Sequence, residues 1–194
     1  MYSVLMATPE RLIESTQELL WERGYVGTSP KAIQQRAGVG QGSMYHHFDG
    51  KPDLACAALR RSAEQLLSLA EEQFSAPGTA YERIAGYLLR QREVLRGCRI
   101  GRMAQDPEVI ADPVLRAPVQ ETFDRLSVRI AEVIEEGRRR GELRPGAAAQ
   151  ELAATVVAVV QGGYVMARAA DSEEPFHRAV RGALALLGTQ ISPQ

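Results

Sequence analysis

The run Thr28-Ser-Pro-Lys-Ala-Ile-Gln-Gln-Arg-Ala-Gly-Val-Gly-Gln-Gly-Ser-Met-Tyr-His-His-Phe48 constrains this chain more than any other stretch. It reads as two short helices joined by a tight turn. The hydroxyls of Thr28 and Ser29 can accept hydrogen bonds from the free N–H groups of a new helix. Pro30 suits a first helical position, where its missing N–H costs nothing. Ala32, Ile33 and Ala37 recur at helical spacing and make one small apolar face. Gly38 offers the left-handed residue that ends a helix, and Val39 plugs the corner. A second helix is expected from Gly40 or Gln41 to about His47. Met44 and Phe48 lie four apart and can face inward, leaving Gln41, Ser43, Tyr45 and His46 outside. This pattern is a helix-turn-helix, whose second helix enters the DNA major groove.

The stretch from Leu12 to Leu54 resembles the DNA-binding domain of the TetR family of bacterial transcriptional regulators. The resemblance is carried by Leu19-Leu-Trp-Glu-Arg-Gly-Tyr25, the Thr28–Ser29 cap, Ala37-Gly-Val39, and Gly42-Ser-Met-Tyr-His-His-Phe48 followed by Lys51-Pro-Asp-Leu54. It implies that Tyr45 and His46 touch phosphates or bases. It also implies a homodimer. Gly40 and Gln41 stand where the family often has Ser-Lys, so a hydroxyl cap and a cation are missing at the start of the reading helix.

The DNA-contacting set expected is Thr28, Lys31, Gln41, Gly42, Ser43, Tyr45, His46 and Lys51. Gln can pair with the edge of adenine, Ser with either partner, and Tyr can meet thymine methyls or phosphate. Thr28 and Lys51 stand at helix starts, where N–H groups and charge favour phosphate. Over Met1–Leu54 six acids face five bases, so the region as a whole is not basic. Between Val26 and Lys51, however, three cations (Lys31, Arg36 and Lys51) meet one acid, Asp49. The positive charge sits where DNA is expected, and its small amount implies a shallow salt dependence.

At 194 residues the chain can hold a small DNA-binding domain and a larger core. Sparse aromatics with abundant alanine and leucine favour helix. No apolar run is expected to reach the roughly 20 residues of a membrane helix, so no membrane partner is expected. Met1–Ala7 lacks a basic segment and is too short for a signal peptide; it reads as a loose arm or an alternative start. Cys56 and Cys98 give neither a disulfide framework nor metal spacing, and a cytoplasmic location is the default.

Thr8, Pro9 and Glu10 open a first helix with Leu12, Ile13, Thr16, Leu19 and Leu20 on its apolar stripe. Trp21, one place off the stripe, reads as a packing residue. After the Asp49-Gly50 turn, a long helix from Lys51 to about Ser75 links the two parts of the chain. Ala76-Pro-Gly78 breaks it. The next helix starts at Thr79 or Ala80, carries Ile84, Tyr87, Leu88, Val94 and Leu95, and ends at Gly97. A short helix to about Gln105 follows, and Asp106-Pro107 and Asp112-Pro113 read as turns. A long helix is expected over 114–140, its start kinked or delayed by Pro118. Arg138-Arg-Arg140 reads as cations favourably placed at a helix C-terminus. The stretch 147–170 is the most apolar helix, and 173–190 is the last.

The expected architecture is therefore all-α, with about nine helices. Residues 1–54 form a three-helix helix-turn-helix domain, and residues 55–194 a helical ligand-binding and dimerisation domain. The last two helices pair with their copies in a second chain. A small-molecule effector is expected in the core between the long linking helix and the apolar helix. Tyr87, Cys98, Met103, Phe123, Gln161 and Tyr164 are its candidate contacts. Cys98, in a Gly-Cys-x-x-Gly setting, reads either as a reactive thiol beside Arg99 and Arg102 or as an inert core residue. No catalytic residue, metal or cofactor is expected. Ser43 and His46 lack an orienting acid, and His46 and His47 are adjacent and so do not face one ion. The expected function is a ligand-responsive regulator, a repressor, that binds a palindromic double-stranded DNA operator as a homodimer. A sensor or scaffold with weak or lost specific DNA binding is the alternative.

Overall fold

The computed structural model describes residues 8–192. Met1–Ala7 falls outside the described residues. Among those described there are ten helices: α1 Thr8–Arg23, α2 Pro30–Ala37, α3 Gln41–His47, α4 Lys51–Phe74, α5 Ala80–Leu89, α6 Arg99–Met103, α7 Pro107–Ala111, α8 Pro113–Arg139, α9 Ala149–Ala170 and α10 Glu174–Gly188. Backbone neighbours sort the chain into two units. One takes residues 8–65 together with Cys98–Glu121; the other takes Leu66–Gly97 and residues 122–192.

The first unit is built on Leu12, Leu19, Ile33, Ala37, Met44 and Leu54, with Ile13, Ala32, Val39 and Phe48 packed around them. Ser29, in extended conformation, accepts from Ala32 N–H and caps α2. Gly38 (φ 63°) ends α2, and its N–H and that of Val39 return to Gln35 and Gln34 carbonyls. Arg11 donates to the carbonyls of Ala37 and Gly38, which ties α1 to that same end. The two Asp-Pro pairs are helix starts rather than plain turns. Asp106 caps α7 by accepting from Glu108 and Val109, and Asp112 accepts from Val114 N–H at 2.8 Å as α8 begins. Pro118 lies inside α8 without interrupting it. Proline has no N–H for the carbonyl four residues back. That carbonyl, Val114 O, is approached at 3.8 Å by the Cys56 thiol of α4.

The second unit has its core around Phe74, Ile84, Tyr87, Leu126, Ile130, Val133, Val156, Val160 and Phe176. Thr79 and Glu82 close a full capping box at the start of α5. α5 stops at Leu89, short of the expected Leu95. Arg92 folds back and donates to the carbonyls of Tyr87, Leu88 and Arg90, satisfying the helix end early. Burial pushes the Arg92 guanidinium down from its ordinary pKa, and nearby Tyr164 opposes the shift. α9 and α10 meet closely at Gly163, where a Cβ would lie 2.9 Å from the Phe176 ring. A two-residue antiparallel bridge, Leu143 with Ile191, ties the segment before α9 to the end of α10.

α9 corrects one expectation. Its 22 residues are long and apolar enough, by length and composition alone, to cross a membrane. The physical reason is that it carries two apolar faces. One, with Val156, Val160 and Tyr164, is buried in the unit; the other, with Val165 and Met166, is exposed.

Candidate nucleic-acid interface

α3 divides its side chains sharply for a seven-residue helix. Met44 is wholly buried, and the Gln34 amide of α2 contacts its sulfur at 3.5 Å. Phe48 caps the C-terminal end and is half-buried. Gln41, Gly42, Tyr45, His46 and His47 are exposed, Tyr45 by 53%, and Ser43 is half-buried. One buried methionine thus seats the helix while the opposite side stays bare. His47 is exposed as well, with its ring 4.8 Å from that of His46. Gly40 precedes α3 in extended conformation with no side-chain cap, as its lack of a hydroxyl requires.

The expected anchors fare differently. Lys31 is exposed on the first turn of α2 and makes no ion pair among the described residues. Thr28 is not outside: it is 1% exposed, and its hydroxyl donates to the Gly24 carbonyl at 2.7 Å. Ser29 takes both the cap and the exposed place next to it. Lys51 is half-buried, its ammonium 3.7 Å from the centre of the Tyr25 ring. Burial pulls the Lys51 pKa down, and Glu108 and Asp106 push back. Burial first, then Glu108, Asp112 and Asp106, pushes the Tyr25 phenol up. Arg36 is spent in a two-pronged pair with Glu22 at 2.7 and 2.9 Å.

A second feature of this unit lay beyond sequence reading. The segment from Arg99 to Asp106 grips the end of α1. Arg99 pairs with Glu18 at 2.5 Å and lies 3.9 Å over the Trp21 ring. Arg102 donates to the Trp21 carbonyl at 2.5 Å. Asp106 accepts from the N–H groups of Tyr25 and Val26.

Residues 12–58 match the family described as "Bacterial regulatory proteins, tetR family", and residues 80–183 match "Tetracyclin repressor-like, C-terminal domain". The chain belongs to the TetR family. It is a DNA-binding transcriptional regulator of that family. It is 28% identical to the HTH-type transcriptional repressor DhaR of Mycobacterium sp. (strain GP1), with 87% of each chain covered. A TetR transcriptional regulator from Chloroflexus aurantiacus shares the fold with a TM-score of 0.87 and 26% identity, over 95% of this chain and 96% of that one. CifR, a TetR-family regulator solved as a cysteine mutant with 26-base-pair operator DNA, matches with a TM-score of 0.76 and 24% identity, over 90% and 94%.

The effector candidates of this TetR-family regulator are divided between the two units. Tyr87, Phe123, Gln161 and Tyr164 belong to the second, whereas Cys98 and Met103 belong to the first. Tyr87 and Tyr164 are buried, joined through Arg92 and Phe176: the guanidinium lies 5.2 Å from the Tyr87 ring and 5.7 Å from Phe176, and Phe176 stacks at 4.9 Å on Tyr164. Phe123 and Gln161 are half-buried. Met103 is wholly buried. Cys98 is buried, and its sulfur accepts from Gly101 N–H at 3.2 Å.

Proposed function

We propose that this regulator is a repressor that binds a near-palindromic operator as a homodimer and is released by a small molecule. The observation that carries the reading is α3 itself. Its buried Met44 fixes the helix, and Gln41, Gly42, Tyr45 and His46 are left exposed on its other side. Ser43 sits at the edge of that exposed side, and Lys31 and Lys51 supply charge at two neighbouring helix starts for phosphate. The functional division falls at Leu54, with residues 1–54 reading DNA and residues 55–194 serving ligand and partner. The CifR complex with operator DNA supports the same use of the fold.

The homodimer would pair α9 and α10 with their copies. Val165, Met166 and Leu186 stay exposed on these helices, Leu186 by 70%. Gly162 and Gly182 stand mid-helix on the same two helices, and a Cβ at either would meet nothing within 4 Å in the protomer. Mid-helix glycine costs about 1 kcal/mol relative to alanine. Among the described residues nothing lies close enough to repay that cost, whereas a partner helix approaching closely would. Two-fold pairing would set two copies of α3 about 34–36 Å apart, one turn of duplex. The effector, held near Tyr87 and Tyr164, would shift the dimer through its different affinity for the DNA-bound and free states. A cytoplasmic location follows from this work on DNA.

The test replaces Tyr45 and His46 by alanine together. Operator affinity should fall by about tenfold or more while sedimentation still reports a dimer. Unchanged affinity would remove α3 from the interface. A second reading, a sensor with little specific DNA binding, is favoured by one observation. Arg11 and Arg36 are both committed to intramolecular partners, so few cations are free for phosphate. Duplex binding measured across a salt series separates the two, since a regulator keeps its sequence preference as salt rises.

A further inference from the structure

We infer that Arg11, on α1, is a positioning residue for DNA reading. It anchors the turn from which α3 projects, and so sets the sequence preference of the regulator without touching DNA. The inference rests on the proposed role of α3 as the reading helix.

α3 does not fix its own direction. It has seven residues, below the roughly 12–15 at which an isolated helix becomes even marginally stable. Gly40 before it offers no side-chain cap. A Cβ at Gly40 or Gly42 would meet nothing within 4 Å, so neither capping nor packing confines the start of the helix. Met44 seats its middle in the core. The remaining restraint on its direction comes from the place where α2 stops.

Arg11 holds that place. The last carbonyls of a helix have no partner inside it. Arg11 Nη2 donates to Ala37 O and, at 3.2 Å, to Gly38 O, across 26 and 27 residues of sequence. The guanidinium thus lies at the negative end of the α2 dipole, where a cation is favourable. Gly38 is fitted to this contact twice. Its φ of 63° is left-handed, and a Cβ there would stand 2.9 Å from Arg11 Nη2. Leu12, the next residue, is wholly buried in the core that also holds Ile33, Ala37 and Met44, so the backbone carrying Arg11 is itself fixed. A guanidinium bound to two carbonyls in this way acts on the bases only through the angle of α3.

Sequence preference comes from base edges, whereas non-specific affinity comes from phosphate charge. Loosening the turn should cost the first and spare the second. The probes are a duplex selected from random sequence by the wild-type protein and a scrambled duplex of equal length and composition. Arg11→Met keeps an unbranched stem but removes the charge and the donors. Its affinity for the selected duplex should fall by about tenfold, with affinity for the scrambled duplex held within about twofold and the salt slope unchanged. Arg11→Lys, which can still donate to a carbonyl, should recover most of the preference. Sedimentation and circular dichroism check that each variant is a folded dimer. Equal losses on both duplexes, with a salt slope shallower by about one, would make Arg11 a phosphate contact and overturn the inference. So would a lower melting temperature with undiminished preference, the mark of a merely structural bond. A wild-type protein that preferred no duplex would instead remove the α3 reading on which this one stands.

Discussion

The carboxylate of Asp106 accepts the Tyr25 N–H at 2.7 Å across 81 residues of sequence. The same Oδ2 takes Val26 N–H at 3.1 Å, while Oδ1 takes Glu108 and Val109 at 3.2 and 3.4 Å. One buried side chain thus closes the end of α1 and opens α7. Gly24 makes room for it, because a Cβ there would stand 2.9 Å from Oδ2. Asp106→Ala would leave four N–H groups without this acceptor and should cost about 3 kcal/mol. Asp106→Asn should do little better. Both oxygens already serve as acceptors, and an amide would turn an NH₂ toward two donors. Urea unfolding of the two variants checks this; an asparagine variant as stable as the parent would show that only one oxygen matters.

A second long-range pair gives a pH dependence. Arg129 grips Glu71 with two hydrogen bonds, at 2.8 and 2.9 Å. That guanidinium chiefly, with help from the Ser75 hydroxyl, holds the Glu71 carboxyl at about 2, against an ordinary 4.5. A depressed folded-state value means the pair stabilises fully above about 4.5 and loses its contribution as pH falls toward 2. Both groups are partly exposed, so screening keeps the contribution below about 1 kcal/mol. Glu71→Gln should therefore be slightly less stable than the parent at pH 7 and equal to it near pH 2. A difference that persists unchanged at low pH would mean the carboxylate charge is not the cause.

Gly42 should show opposite signs for folding and binding. A Cβ there meets nothing within 4 Å, so Gly42→Ala fits the free protein. Alanine in a helix should add up to about 1 kcal/mol of stability. If the start of α3 comes close to DNA, the same methyl should weaken operator binding by about tenfold. Thermal unfolding and a gel-shift titration of one variant read both signs. Raised stability with unaltered affinity would place Gly42 away from the duplex.

Local signals made the helix-turn-helix readable. Pro30, Gly38, Met44 and Phe48 each act within a few residues of themselves, and each sits as its chemistry requires. Thr28 and Ser29 carry the same hydroxyl, so only the contact of Thr28 with Gly24 decides which one caps. The early end of α5 was hidden because Arg92 completes it from outside the helix. Asp106-Pro107 gave a local turn signal and no hint of Tyr25, its distant partner.

The exposed face of α9 and α10 gives the last prediction. Leu186 is 70% exposed and Met166 56%, well outside the core formed by Phe176, Val180 and Tyr164. Glutamate at either position would stay solvated in a single protomer, so the fold should survive with little loss. In a two-fold interface each new carboxylate would meet its own copy or apolar side chains, and burying it there costs several kcal/mol. Met166→Glu with Leu186→Glu should therefore sediment as a monomer with unchanged helical content. Operator affinity should fall with it, because one protomer contacts only half of a palindrome. A double variant that remained a dimer would move the interface off these two helices. A monomer that still bound the full operator as tightly would separate dimerisation from DNA reading.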